Sequence, residues 1–204
     1  MKIAIIGTGN VGGALATKWS NKHSIILGVR NTSHFKGQHL LQNPNTTATS
    51  IEEAVQLSDV IVICTPAAMA VEVTKSLGNT SGKCIIDTMN IVMGRGPAGF
   101  SNTTDAILAN TLTTDVVKCF NTTGFNNMEN TVYGNTAIDM FVAGNSEKAT
   151  VIAKELALDA GYENCYTIGG NDKFSLMEQF AWFWINLAMF QGQGREIAFK
   201  LLKR

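Results

Sequence analysis

Short apolar runs alternate with amphipathic stretches along most of the chain. The apolar runs predict strands at residues 2–6, 24–29, 60–64, 84–87, 116–120, 140–143 and 165–168. Runs such as IAII and VIVIC are apolar on consecutive residues, which is typical of strands that helices cover on both faces. Between the strands, helices are predicted at residues 11–21, 51–57, 68–77, 104–111 and 146–160. This alternation predicts an α/β fold with a doubly wound, mostly parallel sheet.

The end of the chain departs from the alternation. Residues 174–204 can be read as one long helix with a nearly continuous apolar surface, formed by Leu176, Phe180, Trp182, Phe183, Trp184, Leu187 and Phe190. A helix that is apolar nearly all round is buried or covered by another subunit. Gly192 and Gly194 predict a bend or a close backbone approach within it. We therefore expect a main α/β domain over residues 1–170 and a C-terminal helical extension over residues 171–204, through which the chain forms a homodimer.

A glycine-rich motif follows the first predicted strand directly. Residues 7–12 read Gly-Thr-Gly-Asn-Val-Gly and lead into the first predicted helix. In this context Gly7 permits the tight turn, Gly9 leaves room for a pyrophosphate, and Gly12 lets the helix pack closely on the strand. The amides at the helix N-terminus then face the phosphates. The motif predicts a dinucleotide-binding fold of the Rossmann type.

The end of the second predicted strand indicates which dinucleotide is bound. An acidic residue about 20 residues after the motif binds the ribose 2′-hydroxyl of NAD, but residues 1–51 contain no Asp or Glu and five Lys or Arg. Arg30 can donate two parallel hydrogen bonds to a 2′-phosphate and stack on adenine. Asn31, Thr32 and Ser33 offer donors beside it, and His34 and Lys36 lie within reach. This favours NADP(H), with a solvated turn as the alternative role for Arg30.

The later strand ends are polar or small, and they are expected to line the nicotinamide half of the site. These residues are Cys64, Thr65, Pro66, Ala67, Asp87, Thr88, Asn90 and Asn121. Thr65 and Asn121 can contact the cofactor or the substrate, or they can serve ordinary turns. Asp87 can be an acid/base group, or a strand-end carboxylate satisfied by the fold.

No catalytic acid/base pair can be placed near the nicotinamide. The histidines His23, His34 and His39 all lie in the adenosine half, and no metal-ligand set is present. Lys173 is an acid/base candidate, although a surface position is the simpler interpretation. The catalytic residues are therefore left unassigned. Positioning alone can support hydride exchange with a flavin-like acceptor.

The composition indicates which class of partner the protein binds and in which cellular compartment it works. The 16 basic and 16 acidic residues balance, which disfavours a nucleic-acid partner and favours a small molecule. The cysteines Cys64, Cys84, Cys119 and Cys165 form no CxxC pair and predict buried free thiols in a reducing compartment. The N-terminus lacks the pattern of a secretory signal, and the apolar run 180–190 is too short to span a membrane. A cytoplasmic protein is expected.

Several segments resemble the family of deazaflavin-coenzyme (F-420) dependent NADP oxidoreductases and the predicted dinucleotide-binding enzymes grouped with them. The resemblance is carried by IAIIGTGNVGGALA, GVRNTS, TPAA, IIDTMN, VKCFNTTGFNNMENTVYG, IDMFVAGNSEKA and WINLAMFQGQGREIAFKLLKR. The chain is also similar to the cofactor-binding part of pyrroline-5-carboxylate reductases and to the cytosolic domain of membrane metalloreductases. The resemblance implies NADPH bound through Gly7, Thr8, Gly9, Asn10, Val11 and Gly12, with Arg30, Asn31 and Ser33 at the 2′-phosphate.

The expected function is an NADPH-dependent oxidoreductase that passes hydride to a flavin-like, deazaflavin or other small acceptor. Two alternatives stay open on the sequence. One is a non-catalytic NADP(H)-binding sensor or interaction protein, and the other is an imine reductase of the pyrroline-5-carboxylate reductase type.

Overall fold

The computed structural model describes all 204 residues, and strands and helices alternate along most of the chain. The strands are β1 (Lys2–Ile6), β2 (Ser24–Val29), β3 (Thr46–Ser50), β4 (Val60–Ile63), β5 (Cys84–Asp87), β6 (Val116–Cys119), β7 (Val132–Tyr133), β8 (Thr136–Ala137), β9 (Met140–Ala143) and β10 (Cys165–Gly169). The α-helices are α1 (Asn10–Trp19), α2 (Ile51–Leu57), α3 (Ala70–Lys75), α4 (Thr103–Ala109), α5 (Phe125–Glu129), α6 (Glu147–Asp159) and α7 (Phe174–Ile185).

Eight strands form one sheet in the order β10-β9-β6-β5-β4-β1-β2-β3. Strands β1 to β6 have the 3-2-1-4-5-6 order of the doubly wound dinucleotide-binding fold. All neighbouring strands of the sheet are parallel except β6 and β9. The predicted doubly wound, mostly parallel sheet is therefore confirmed. Strands β7 and β8 form a separate hairpin.

Alternate side chains of the central strands enter two cores, one on each face of the sheet. In β1, Ile3 and Ile5 pack with α1 and α6, whereas Ala4 and Ile6 pack with α2, α3 and α4. All four residues are at most 1% exposed, which explains why the run is apolar without a break.

Three elements were not predicted from the sequence. Strand β3 has the polar sequence TTATS and pairs only with β2, because it is the edge of the sheet. Helix α5 and the β7–β8 hairpin are too short to show a clear period. The predicted helix at residues 68–77 is shorter, since a 3₁₀ turn at Ala67–Met69 precedes α3.

The prediction of one long helix to the C-terminus is wrong beyond residue 190. Helix α7 ends at Ile185, a π-helical turn covers Asn186–Phe190, and residues 191–204 are not helical. Gly192 and Gly194 both have a φ angle of +72°, a conformation that glycine adopts without steric cost. The chain leaves the helical path at these two residues.

Residues 191–204, which we call the C-terminal strap, fold back on the domain. The carbonyl oxygen of Ile197 accepts hydrogen bonds from Trp184 Nε1 and from Asn127 Nδ2, both at 2.7 Å. The amide of Leu201 donates to the carboxylate of Asp139 at 2.8 Å. Through these contacts the strap is held against α5, α7 and the residue that precedes β9.

Candidate functional site

The loop after β1 is shaped by two glycines whose side-chain space is already filled. Gly7 has a φ angle of +102°, and a Cβ there would lie 2.7 Å from the carbonyl oxygen of Cys64. A Cβ on Gly12 would lie 2.0 Å from the carbonyl oxygen of Gly7. Both contacts are shorter than van der Waals distances, so the tight turn and the close packing of α1 each require glycine.

Gly9 differs, because the protein itself does not require a glycine there. A Cβ on Gly9 would meet no atom within 4 Å. Gly9 is the N-cap of α1, and no side chain caps the first amides of that helix. The N-terminus of α1 therefore faces open space, in the arrangement that binds phosphate groups.

A cavity of about 1110 Å³ opens at the carboxyl ends of β1, β2 and β4. This is the point at which the strand order of the sheet reverses, where ligands of open α/β sheets bind. Its lining includes residues 7–11, 28–31, 34–36 and 64–66. We call it the main cavity. Sites for small molecules usually measure about 300–1000 Å³, so this one can hold a large, extended ligand.

The end of the main cavity beside β2 is positively charged. Arg30 and Lys36 line it, and neither takes part in an ion pair within the chain. The side-chain oxygen of Asn31 accepts hydrogen bonds from the amides of Ser33, at 2.9 Å, and His34, at 3.2 Å. This turn leaves Arg30 and Asn31 on the cavity wall, whereas Thr32 and Ser33 do not line it.

The loop after β2 is joined to the phosphate loop. The hydroxyl of Thr8 donates a hydrogen bond to the carbonyl oxygen of Lys36. Gly37 has a φ angle of +90°, and a Cβ there would lie 2.6 Å from the carbonyl oxygen of Thr8. The two loops that the sequence assigned to the pyrophosphate and to the 2′-phosphate are thus in direct contact.

Three of the four residues predicted after β4 line the main cavity: Cys64, Thr65 and Pro66. Ala67 is buried and does not. Burial raises the pKa of the Cys64 thiol to about 12. A hydrogen bond with the Thr88 side chain lowers this pKa, but its effect is smaller than that of burial. The thiol is therefore protonated at neutral pH and is a poor nucleophile.

A second cavity, of about 390 Å³, lies on the other side of the phosphate loop. Asn10 and Val11 line both cavities, so the two meet at the start of α1. The remaining walls come from the ends of β5 and β6, from α5 and α7, and from the C-terminal strap. We call it the distal cavity. Arg195 is the only ionisable side chain in its lining.

Asn90 and Asn121 stand together on the wall of the distal cavity, as the sequence analysis expected for the strand ends. Asn121 Nδ2 donates to Asn90 Oδ1 at 2.8 Å and to the carbonyl oxygen of Met177 at 3.1 Å. Asn90 Nδ2 donates to the carbonyl oxygen of Asn121 at 2.8 Å. Asn121 Oδ1 is buried and has no hydrogen-bond partner within the chain.

The backbone just before Asn121 is strained. Phe120 has a φ angle of +58°, which is unusual for a bulky residue. Its ring is fully buried and packs edge-on against Trp19, with 5.3 Å between the ring centroids. Such strain is common where a fold positions a functional side chain. Here the buried ring anchors the strained residue, and Asn121 follows it on the cavity wall.

Asp87 and Thr88 line neither cavity, so their expected place at the cofactor is corrected to a structural role. The carboxylate of Asp87 is fully buried and accepts hydrogen bonds from Lys118 Nζ at 2.8 Å and from the hydroxyl of Thr104 at 2.7 Å. The hydroxyl of Thr88 donates to the carbonyl oxygen of Ile63. The interpretation of Asp87 as a satisfied strand-end carboxylate is confirmed.

Lys118 and Glu178 complete this buried network, and sequence reasoning missed both. Lys118 Nζ lies 2.9 Å from Glu178 Oε1, and Glu178 also accepts hydrogen bonds from the amides of Ile91 and Thr103 at 2.9 Å. Because Glu178 belongs to α7, the network ties the C-terminal helix to the sheet. A lysine inside the apolar run VVKCF is the signal that could have found it.

The aromatic wall of the distal cavity was also missed. Phe125 and Trp184 belong to α5 and α7, and Arg195 belongs to the strap.

Lys173 lines neither cavity and pairs with its neighbour Asp172 on the surface, as the simpler interpretation predicted.

The four cysteines are free thiols, as predicted, but only Cys84 and Cys119 are buried, whereas Cys64 and Cys165 are partly exposed. His, Cys, Asp and Glu side chains form no group that could hold a metal ion. None of the helices combines the length and the apolar character that crossing a membrane requires.

Residues 2–91 match the model of a protein family described as NADP oxidoreductase coenzyme F420-dependent. No curated protein sequence matches the chain. A solved structure from an Arthrobacter species, of a protein proposed to be an F420-dependent NADP reductase, is 23% identical and covers 100% of both chains, with a TM-score of 0.82. A hypothetical protein from Sinorhizobium meliloti is 20% identical, with a TM-score of 0.72 and coverage of 100% of this chain and 96% of that one.

Larger reductases share the same fold. A reductive aminase from Aspergillus terreus, solved in complex with NADPH, is 20% identical with a TM-score of 0.64, and the match covers 94% of this chain but 63% of that one. These structural matches confirm the dinucleotide-binding fold. The family match covers residues 2–91, fewer than half of the chain, and names the same family that the sequence resembles.

Proposed function

We propose that this chain binds NADPH in the main cavity and passes hydride to a small acceptor in the distal cavity. The observation that carries the proposal is the meeting of the two cavities at Asn10 and Val11. NADPH supplies the hydride, and the acceptor gains two electrons. A dinucleotide that crosses the phosphate loop can place its reactive ring where the two cavities join.

The residues of the main cavity fit this cofactor. The open space over Gly9 and the uncapped N-terminus of α1 suit the pyrophosphate. Arg30 and Lys36, both without an ion-pair partner, suit the 2′-phosphate. Asn90 and Asn121, on the wall of the adjoining distal cavity, are proposed to contact the nicotinamide half of the cofactor. In this proposal Gly7, Gly12 and Asp87 shape the site, and they do not contact the cofactor through side chains.

The distal cavity favours an acceptor that needs no proton from the protein. Its lining holds no His, Asp, Glu, Lys, Tyr or Cys side chain that could act as a general acid. Conjugated rings of the flavin or deazaflavin type accept hydride under these conditions, because the proton can come from water. An imine reductase is the second candidate, favoured by the fold shared with the reductive aminase. Single-turnover oxidation of NADPH by flavins, deazaflavin, quinones, ferric chelates and cyclic imines separates them.

A titration of the purified protein with NADPH and with NADH, followed by calorimetry, tests the cofactor assignment. We expect a preference for NADPH of tenfold or more, which corresponds to about 1.4 kcal/mol. Equal affinities would remove the role of Arg30, and absence of binding would refute the proposed function.

Substitution of Gly9 by alanine should weaken NADPH binding about tenfold or more and leave the folded protein nearly unchanged. The added methyl group enters space that no protein atom fills, but it stands where the pyrophosphate approaches. Calorimetric titration and thermal unfolding measure the two effects. Gly13→Ala is the matched control, since its Cβ would contact only Leu40, at an ordinary 3.8 Å. Unchanged affinity in Gly9→Ala would place the pyrophosphate elsewhere.

We also propose that the protein is a homodimer in the cytoplasm, where its free thiols stay reduced. Leu176, Phe183 and Phe190, seven residues apart, are 49%, 51% and 54% exposed, and Trp182 and Met189 lie beside them. Sedimentation should give about twice the chain mass of 22.0 kDa. Phe183→Glu should dissociate the dimer, whereas Val151→Glu, at an exposed apolar position on α6, should not. A monomeric wild-type protein at micromolar concentration would refute the proposal.

A further inference from the structure

Arg195 occupies an unusual position on the wall of the distal cavity. Its guanidinium carbon lies 5.1 Å from the ring centroid of Phe125 and 5.8 Å from that of Trp184. No carboxylate of the chain pairs with it. The neighbouring Glu196 is turned to Asn126, whose side-chain nitrogen donates to Glu196 Oε1 at 3.1 Å. The charge of Arg195 is therefore held by aromatic faces and left unneutralised.

The backbone around Arg195 is held in place by the fold. Asn126 Nδ2 also donates to the carbonyl oxygen of Arg195 at 2.9 Å. Two residues on, the carbonyl oxygen of Ile197 accepts hydrogen bonds from Trp184 and Asn127 at 2.7 Å. Residues of α5 and α7 thus fix the segment that carries the guanidinium. The anchoring places a cation on the cavity wall instead of leaving it on a free chain end.

The donors of Arg195 are largely unused. The guanidinium has five N–H donors in a planar fork, and the structure gives it one weak contact, from Nη1 to the sulfur of Met189 at 3.7 Å. A planar fork that is stacked on aromatic rings matches the two oxygens of a carboxylate or phosphate group. The Arg195 side chain is exposed, so these donors are open to a ligand that enters the cavity.

We propose that Arg195 binds an oxyanion group, carboxylate or phosphate, on the hydride acceptor. The proposal rests on the proposed function and specifies its substrate class as anionic acceptors. The cavity volume of about 390 Å³ limits the enclosed part of the acceptor to a small ring system with its charged group. Arg195 is then a specificity-determining residue.

Calorimetry on protein saturated with NADP⁺ tests this inference with matched acceptors. FMN and riboflavin differ by one phosphate group, and a proline-derived cyclic imine carboxylate and the same imine without its carboxylate differ by one carboxylate. The wild-type protein should bind the anionic member of one pair about tenfold or more tightly than the neutral member. Arg195→Gln should abolish this difference, and Arg195→Lys should keep part of it. Arg95→Gln, at an exposed arginine that lines neither cavity, should behave as wild type.

The outcomes separate the two proposals. If NADPH binds normally but neither pair shows an anionic preference, or if Arg195→Gln keeps the preference, the inference is overturned and the cofactor assignment stands. If NADPH itself does not bind, both fall. A preference for FMN alone identifies a phosphate-bearing acceptor, and a preference for the imine carboxylate alone identifies a carboxylate-bearing one. Either of these two results supports the inference.

Discussion

Replacing Lys118 by methionine should lower the free energy of unfolding by about 3–5 kcal/mol, because it leaves buried charges without a counter-ion. The Lys118 side chain is fully buried and lies within 2.9 Å of both Asp87 and Glu178. Methionine fills a similar volume but brings no charge and no donor. Two carboxylates then remain inside the protein, where an unpaired charge is costly.

Denaturant unfolding, monitored by tryptophan fluorescence, measures this effect. Lys148→Met is the matched control, since Lys148 forms an ion pair with Asp115 at the same distance of 2.9 Å but is 52% exposed. An exposed pair of this kind contributes at most about 1 kcal/mol. If the two variants lose the same stability, the buried network does not hold the C-terminal helix to the sheet as described.

The network should also connect to the distal cavity. Because Glu178 lies on the same helix as Trp184, loosening α7 should disturb the aromatic wall on which Arg195 is stacked. We therefore expect Lys118→Met to weaken binding of the acceptor more than binding of NADPH. None of the side chains of the network, on Asp87, Lys118 and Glu178, lines the main cavity.

Replacing Arg30 by aspartate should weaken NADPH binding about 100-fold and NADH binding by much less. The substitution removes a guanidinium that can donate two charge-assisted hydrogen bonds to a 2′-phosphate, and it places a carboxylate near that phosphate. Each lost hydrogen bond to a charged group is worth about 1.5–3 kcal/mol. An aspartate at the end of the second strand can instead accept a hydrogen bond from the ribose 2′-hydroxyl of NADH.

Titration of the variant with both nucleotides measures the change in preference. Lys2→Asp carries the same change of charge in the same quarter of the chain, but Lys2 is the first residue of β1, at the end of the strand away from the main cavity. This control should keep the wild-type preference. Equal losses for NADPH and NADH in Arg30→Asp would mean that Arg30 is not at the 2′-phosphate.

The sheet and the phosphate loop could be predicted because their signals are local. Consecutive apolar residues mark a strand covered on both faces. Gly7 and Gly12 are explained by contacts within the same loop or with the end of the adjacent strand. Edge strand β3 could not be predicted in this way, because one of its sides has no partner strand and its residues are polar.

The C-terminal segment shows where a local pattern misleads. Apolar residues recur at helical spacing up to Phe190, and the structure is helical to that point. The glycines at 192 and 194 were correctly identified as a place of bending, but a sequence pattern does not show whether a bent chain resumes its helix. Ile197 accepts a hydrogen bond from Asn127, and Leu201 donates one to Asp139. These bonds to distant residues decide that it does not.

The sequence by itself determined the fold class, the dinucleotide loop and the positively charged end of the main cavity, because each depends on residues that are close together in the chain. Only the tertiary structure decided the role of Asp87, whose partner Lys118 lies 31 residues away, and the composition of the distal cavity, whose walls come from five separate segments. The role of a buried charged residue depends on the groups that surround it in space, which can be distant in the sequence. Arg195 likewise becomes a candidate for substrate recognition only when the strap brings it against Phe125 and Trp184.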